Sequence, residues 1–264
     1  MIDCKDISFS YQNRGLTFSI QNLSVQFKDH SFYTLLGKNG SGKTTLLKII
    51  AGIISPENGD ITVEEHNTKN ITNKILASKI SYLSSEILSE FNIKVIDFVL
   101  LGKIPHYSPW KGANQKDRDE AKLILKKLSI DNLRDRNLFS LSTGQKQIVY
   151  LAKILLQNPV WICLDELNNG LDPSNQIFLY KAIRDELKNP TSSLKGVISI
   201  CHDINLSLKF SDKLIGLKSG EIQFIKETRD LSENDLNLLF DFKFFKSRKD
   251  SFQNTQFVID FLYE

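Results

Sequence analysis

The chain has 264 residues, a length that corresponds to about 1.8 typical domains. Its composition, 41% hydrophobic and 25% charged, is that of an ordinary globular protein and excludes a disordered or fibrous chain. The 34 basic and 31 acidic side chains leave a formal charge of +3, which neither demands nor excludes nucleic acid as a partner.

In chain order, Ile2, Cys4, Phe9, Tyr11, Phe18, Ile20, Leu23, Val25 and Phe27 alternate as half-buried strands do, predicting a small antiparallel sheet. Residues 32–36 form a continuous apolar strand ending at Gly37, and Leu46, Ile49 and Ile50 have helical spacing. Residues 37–44 therefore lie between a strand and a helix. Pro56 and Asn58-Gly59 mark a turn before a strand carrying Ile61 and Val63, and residues 80–83 read as a short buried strand.

From residue 86 to about 158 the spacing turns helical, at Ala121, Ile124, Leu125 and Leu128 and again at Ile148, Leu151, Ala152 and Leu155. Residues 160–164 and 197–201 return to buried-strand composition, separated by a helix that Asp172 caps and Pro173 starts. Strands alternating with helices imply a parallel sheet. Residues 214–217 and 222–225 flank Ser219-Gly220 as a hairpin, and the last forty or so residues read as a polar helix with one or two amphipathic strands.

The longest apolar runs, 148–152 and 160–164, fall far short of the ~20 residues needed to cross a bilayer, so no membrane span is expected. Asp3, Asp6 and Arg14 near the start argue against a cleaved secretory signal. Cys4, Cys163 and Cys201, odd in number and widely spaced, suit buried reduced thiols better than a disulfide framework or a zinc site.

Gly37-Lys38-Asn39-Gly40-Ser41-Gly42-Lys43-Thr44 matches the phosphate-binding loop pattern in its expected strand-to-helix setting. The glycines let successive amides face phosphate oxygens and the helix N-terminus adds partial positive charge. Lys43 can then reach the β- and γ-phosphates, and Thr44 can supply a hydroxyl to Mg²⁺. Asp165 and Glu166, at the end of an apolar strand, supply the second metal-side carboxylate and a base for the attacking water. Ser142 with Gln145 forms a capping box for the helix carrying Ile148 and Leu151.

Leu141-Ser142-Thr143-Gly144-Gln145 also resembles the LSGGQ signature of ATP-binding cassette (ABC) ATPases, and its order relative to the loop and to Asp165-Glu166 matches that family across about residues 1–225. The resemblance implies an α/β P-loop NTPase fold, a mostly parallel sheet with flanking helices, an N-terminal antiparallel β subdomain and an inserted helical subdomain. On this reading residues 1–85 and 159–225 form the two parts of the nucleotide-binding core, 86–158 the helical subdomain with the signature, and 226–264 a C-terminal extension.

Carried over residue by residue, the resemblance makes Lys43, Glu166 and His202 catalytic and gives Thr44 and Asp165 to Mg²⁺. Nucleotide contacts fall to Tyr11, which would stack on adenine, to Gly37, Asn39, Gly40, Ser41, Gly42, Lys43, Thr44 and Thr45, and to Ser142, Gly144, Gln145 and Asp172. The signature helix would grip the γ-phosphate held by the opposite subunit, so ATP hydrolysis with Mg²⁺ would need a homodimer. Asn168-Asn169-Gly170-Leu171-Asp172 resembles the D-loop.

Residues 95–106, with His202-Asp203-Ile204-Asn205-Leu206, resemble the iron-chelate, haem and cobalamin importer branch. That implies an energising subunit at the cytoplasmic face of the inner or plasma membrane, paired with transmembrane permease subunits and, through them, a substrate-binding protein. Ile87, Leu88, Phe91 and Ile93 are the candidate groove for the permease. The alternatives are a soluble ABC ATPase in cofactor assembly, or a weakly hydrolysing ATP switch. Translation-type members carry two cassettes and DNA-type members long coiled coils; this chain has neither, so no nucleic-acid partner is expected. Four positions depart from the family pattern: Ser85, followed by Glu86, stands where a glutamine is usual, Thr143 replaces a glycine, Lys38 a proline, and Leu167 follows Glu166 where proline is common.

Overall fold

The computed structural model describes residues 1–13, 16–84, 92–107, 112–167, 171–248 and 255–259, arranged as two compact units, Met1–Asn70 with Gly196–Glu264, and Ile71–Lys195. The first unit opens with β1 (Ile2–Asn13) and β2 (Leu16–Phe27), paired antiparallel with Ile2 opposite Phe27 and Tyr11 opposite Phe18. β3 (Ser31–Leu36) runs directly into the glycine loop and α1 (Lys43–Ile50). β4 (Asn58–Val63) and the short β5 (His66–Asn67) complete an antiparallel sheet in the order β2-β1-β4-β5. The alternation read in the sequence buries Ile2, Cys4, Ile20, Leu23, Val25 and Phe27, while Ile7 is buried between two register shifts of β1 that interrupt the period.

The second unit begins with α2 (Asn73–Lys79), capped by Thr72, and β6 (Ile80–Ser84). Then come α3 (Val95–Leu100), α4 (Gln115–Lys127), α5 (Thr143–Gln157), β7 (Trp161–Asp165) and α6 (Pro173–Lys188). The helices pack around Val95, Phe98, Val99, Ala121, Leu125, Val149, Leu151 and Ala152, all buried at the apolar spacing of their helices. β6 and β7 pair parallel, Leu83 beside Leu164 and Ser84 beside Asp165. Among the described residues no helix is long and apolar enough to cross a membrane.

The chain then returns to the first unit with β8 (Gly196–Ile200), α7 (Ile204–Phe210), β9 (Lys213–Lys218), β10 (Glu221–Glu227), α8 (Glu233–Phe240), β11 (Phe244–Arg248) and β12 (Thr255–Ile259). Its strands run β10-β9-β3-β8; β3 is parallel to both β8 and β9, and β9-β10 is the hairpin turning at Ser219-Gly220. Parallel strands buried on both faces read as continuous apolar runs, which is why 32–36 and 197–200 lack alternation. The antiparallel sheet, the parallel strands and the flanking helices make the α/β P-loop fold expected from the sequence. The three cysteines are free and buried, and burial with the neighbouring Asp3 pushes the Cys4 thiol up to about 12.

Candidate functional site

In the first unit β3 ends at Leu36 and the chain turns through three left-handed glycines, Gly37 (φ 151°), Gly40 (φ 78°) and Gly42 (φ 101°). A Cβ on Gly37 would lie 2.2 Å from the Leu217 carbonyl oxygen, and one on Gly42 would lie 2.6 Å from Cζ of Phe18. The loop is thus pressed between the β9 backbone and an aromatic ring of β2, at a separation only glycine permits. Gly42 is also the N-cap of α1 and brings no capping side chain to its first turn. Helix and loop amides there present partial positive charge, an arrangement suited to an anion.

Lys43 is 5% exposed, and its ammonium sits over its own loop, donating to the carbonyls of Gly37 and Lys38, each at 2.8 Å. The Lys38 carbonyl also accepts from Ser41 N–H at 3.1 Å, and the Gly220 N–H donates to the Ser41 carbonyl at 3.0 Å. Two neutral carbonyls thus hold the buried ammonium against the loop. Thr44 is half-buried at the start of α1, Thr45 is buried, and Asn39 and Gly40 are exposed.

Two further expected residues lie in this unit. β3 and β8 pair in parallel through Leu35 and Ile200, so Gly37 and the exposed His202 leave the same end of adjacent strands. Tyr11 is 43% exposed, with Phe9 edge-on at a centroid distance of 4.8 Å. Its cross-strand partner is Phe18, the ring that meets Gly42. Sequence reasoning does not mark Phe18 as a site residue. The Tyr11–Phe18 register across a hairpin is a signal only once the strands are paired.

In the second unit Asp165 ends β7, 6% exposed, and accepts a hydrogen bond from the Tyr82 hydroxyl on the neighbouring β6. Tyr82 is a second residue that the sequence does not flag; only the β6–β7 pairing brings it to Asp165. Glu166 follows in the left-handed region at φ 52°, a turn that costs a non-glycine residue on the order of 1 kcal/mol and sets its side chain off the strand's alternation.

The capping box read in the sequence is present. Ser142 Oγ accepts from Gln145 N–H at 3.3 Å, and Gln145 Oε1 accepts from Ser142 N–H at 3.1 Å. Ser142 is exposed, and a Cβ on Gly144 would lie 3.0 Å from Asn175 Nδ2. Asn175 is held by Asp172, which caps α6 by accepting from Asn175 N–H at 3.0 Å. The Asn175 backbone bond, with its side-chain bond, lowers the Asp172 carboxyl below the usual range. Two helix starts, those of α5 and α6, therefore meet at Gly144. Ser85, Glu86, Ile87, Leu88, Phe91 and 168–170 lie outside the described residues.

A parallel-stranded α/β fold whose first central strand feeds a glycine-rich loop with a buried lysine defines a P-loop nucleotide-binding protein. The family model for ABC transporters matches residues 20–169. The chain is 33% identical over 245 residues to an iron chelatin transport ATP-binding protein of Helicobacter pylori, covering 90% of this chain and 91% of that one. It is 28% identical over 202 residues to the ferric enterobactin transport ATP-binding protein FepC of Escherichia coli, covering 76% and 73%. An inward-facing structure of a metal-chelate type ABC transporter superposes with a TM-score of 0.84 at 26% identity, covering 99% of this chain and 98% of that one. The chain belongs to the ABC transporter ATP-binding family: it is an ATPase and the ATP-binding subunit of a transporter.

Proposed function

We propose that the chain energises import of an iron chelate, haem or cobalamin by hydrolysing ATP as a homodimer docked under permease subunits at the cytoplasmic face of the membrane, with a substrate-binding protein upstream. The observation that carries the nucleotide reading is the buried Lys43 ammonium inside a loop whose three glycines take positive φ. The names of the two relatives support the chelate cargo. The helices of 86–158 would face the permease, with the apolar residues around Ile93 against it.

In this mechanism the amides of residues 37–45 cradle the triphosphate, Lys43 neutralises charge developing on the transferred phosphoryl group, and Tyr11 stacks on the adenine. The Thr44 hydroxyl and the Asp165 carboxylate are each oxygen donors of the kind Mg²⁺ takes, and the ion, when bound, would neutralise phosphate charge. Glu166 accepts the proton of the attacking water, His202 contacts the γ-phosphate, and Ser142, Gly144 and Gln145 of one subunit meet the nucleotide of the other. Asp172 would stand at that subunit boundary.

Removing the Lys43 contact should cost about 3 kcal/mol of transition-state stabilisation if it acts like one lost oxyanion donor. Purified Lys43→Ala protein with undiminished ATPase activity refutes the role. Glu166→Gln should yield a dimer that persists in ATP; a strictly monomeric species at saturating ATP counts against the shared site. A tagged chain pulled from detergent-solubilised membranes should bring a permease with it, and recovery without one sinks the importer reading.

A further inference from the structure

The C-terminal segment reaches the glycine loop through a carboxylate. Asp241, the left-handed C-cap of α8 (φ 54°), lies 2.7 Å from Lys38 Nζ and 2.9 Å from Lys218 Nζ. Lys38 is in the loop, and its carbonyl is the one that accepts from both Ser41 N–H and Lys43 Nζ. Lys218 ends β9, immediately before the turn whose Gly220 N–H donates to the Ser41 carbonyl. Lys218 also donates to the Leu238 carbonyl at 2.7 Å, which closes the last turn of α8. The Phe242 ring lies under Lys38, 5.7 Å from Nζ.

The helix that carries the carboxylate is anchored from below. Leu236 and Leu239 are fully buried in a cluster with Leu214, Phe224, Phe244 and Leu36, the last strand residue before the loop. Asn237 accepts from Phe244 N–H at 2.8 Å and fixes the chain beyond Asp241. Asn205, on the helix following His202, exchanges two hydrogen bonds with the backbone of Phe257. The segment therefore packs within the first unit against α7, which follows His202, and against Leu36, which leads into the loop.

We propose that Asp241 is a positioning residue for the nucleotide loop: by pairing with Lys38 and Lys218 together, it fixes the Lys38 carbonyl and the Gly220 amide that shape the loop around Lys43. This rests on residues 37–44 binding the triphosphate. The lysine pair holds the Asp241 carboxyl down at about 2, so the carboxylate is ionised at any working pH.

The test is equilibrium binding of a fluorescent ATP analogue to the purified full chain. Asp241→Asn keeps the shape and suits a left-handed backbone, so it removes little besides the charge. A tether predicts that Asp241→Asn and Lys38→Gln each weaken binding, by about three- to fivefold for an exposed ion pair coupled to the loop. The double variant should be no weaker than either single one, and Lys38→Arg should bind like the parent. Simple electrostatics also predicts weaker binding for Lys38→Gln but reverses the sign at Asp241→Asn, which should then bind tighter. That result overturns the proposal, as does unchanged affinity in Asp241→Asn or a double variant whose loss is the product of the singles. Lys43→Ala run alongside separates the failures: if it binds as the parent does, the triphosphate reading falls rather than the tether.

Discussion

The three loop glycines make a graded prediction, because each has positive φ but a different amount of space around it. Alanine at Gly40, with φ 78° and nothing within 4 Å, faces only the left-handed backbone cost of about 1–2 kcal/mol. Part of that is offset by the roughly 0.4–1 kcal/mol gained from stiffening the unfolded chain, so the net loss should be about 1 kcal/mol. At Gly42 the same backbone cost is joined by a 2.6 Å approach to Phe18, but the atom met there is a ring tip that can turn aside, so about 2 kcal/mol is expected.

At Gly37 the obstacle is the Leu217 carbonyl at 2.2 Å, and β9 is held between β10 and β3 and cannot yield without breaking ladder bonds. A loss on the order of 4 kcal/mol follows from strain plus overpacking. Urea denaturation of the three single variants, at matched protein concentration, should therefore rank Gly37→Ala below Gly42→Ala below Gly40→Ala. Adding Phe18→Ala should relieve much of the Gly42→Ala clash, leaving the pair less destabilised than the sum of the singles. Equal midpoints for Gly37→Ala and Gly40→Ala, or strict additivity of Phe18→Ala with Gly42→Ala, would refute the packing argument.

Other outcomes follow from single contacts. Tyr82→Phe removes the donor to Asp165 and should lower ATPase turnover by about tenfold, the worth of a hydrogen bond to a charged group; unchanged turnover excludes a positioning role for Tyr82. Ser142→Ala should cost about 1 kcal/mol of stability through the lost N-cap. Ser142→Asp should restore that stability while repelling phosphate, so urea midpoints and ATP-driven dimerisation must diverge; a Ser142→Asp protein that dimerises normally removes the signature role. Asp241 has a depressed folded pKa, so its stabilisation is complete above the ordinary carboxylate range and is lost as pH falls through about 2. The melting-temperature gap between parent and Asp241→Asn should be flat from pH 5 to 8 and shrink below about pH 4. With all three thiols buried and Cys4 pushed up to about 12, a thiol reagent at pH 8 should titrate none in the native chain and all of them in urea; rapid native labelling would contradict the burial.

Much of this is legible in one dimension because it depends on local chemistry. The loop motif, the Ser142–Gln145 capping box and the Asp172-Pro173 helix start each need only a few consecutive residues, and the structure forms each at those residues. Period-two alternation marks the antiparallel sheet and continuous apolar runs mark the parallel strands, since a strand's burial on one face or two is written in its own side chains. The helix after the loop, read from Leu46 onward, starts at Lys43, because Gly42 has no side chain to announce a cap.

What the sequence could not say concerns partners distant along the chain. Phe18 against Gly42, Tyr82 on Asp165, and Asp241 on both Lys38 and Lys218 follow from strand register and from the docking of α8, and no short-range pattern encodes them. The residue types that can bind a nucleotide were fixed by composition of the motifs. The contacts that hold those residues in place were decided only when backbone pairing and apolar burial brought remote segments together.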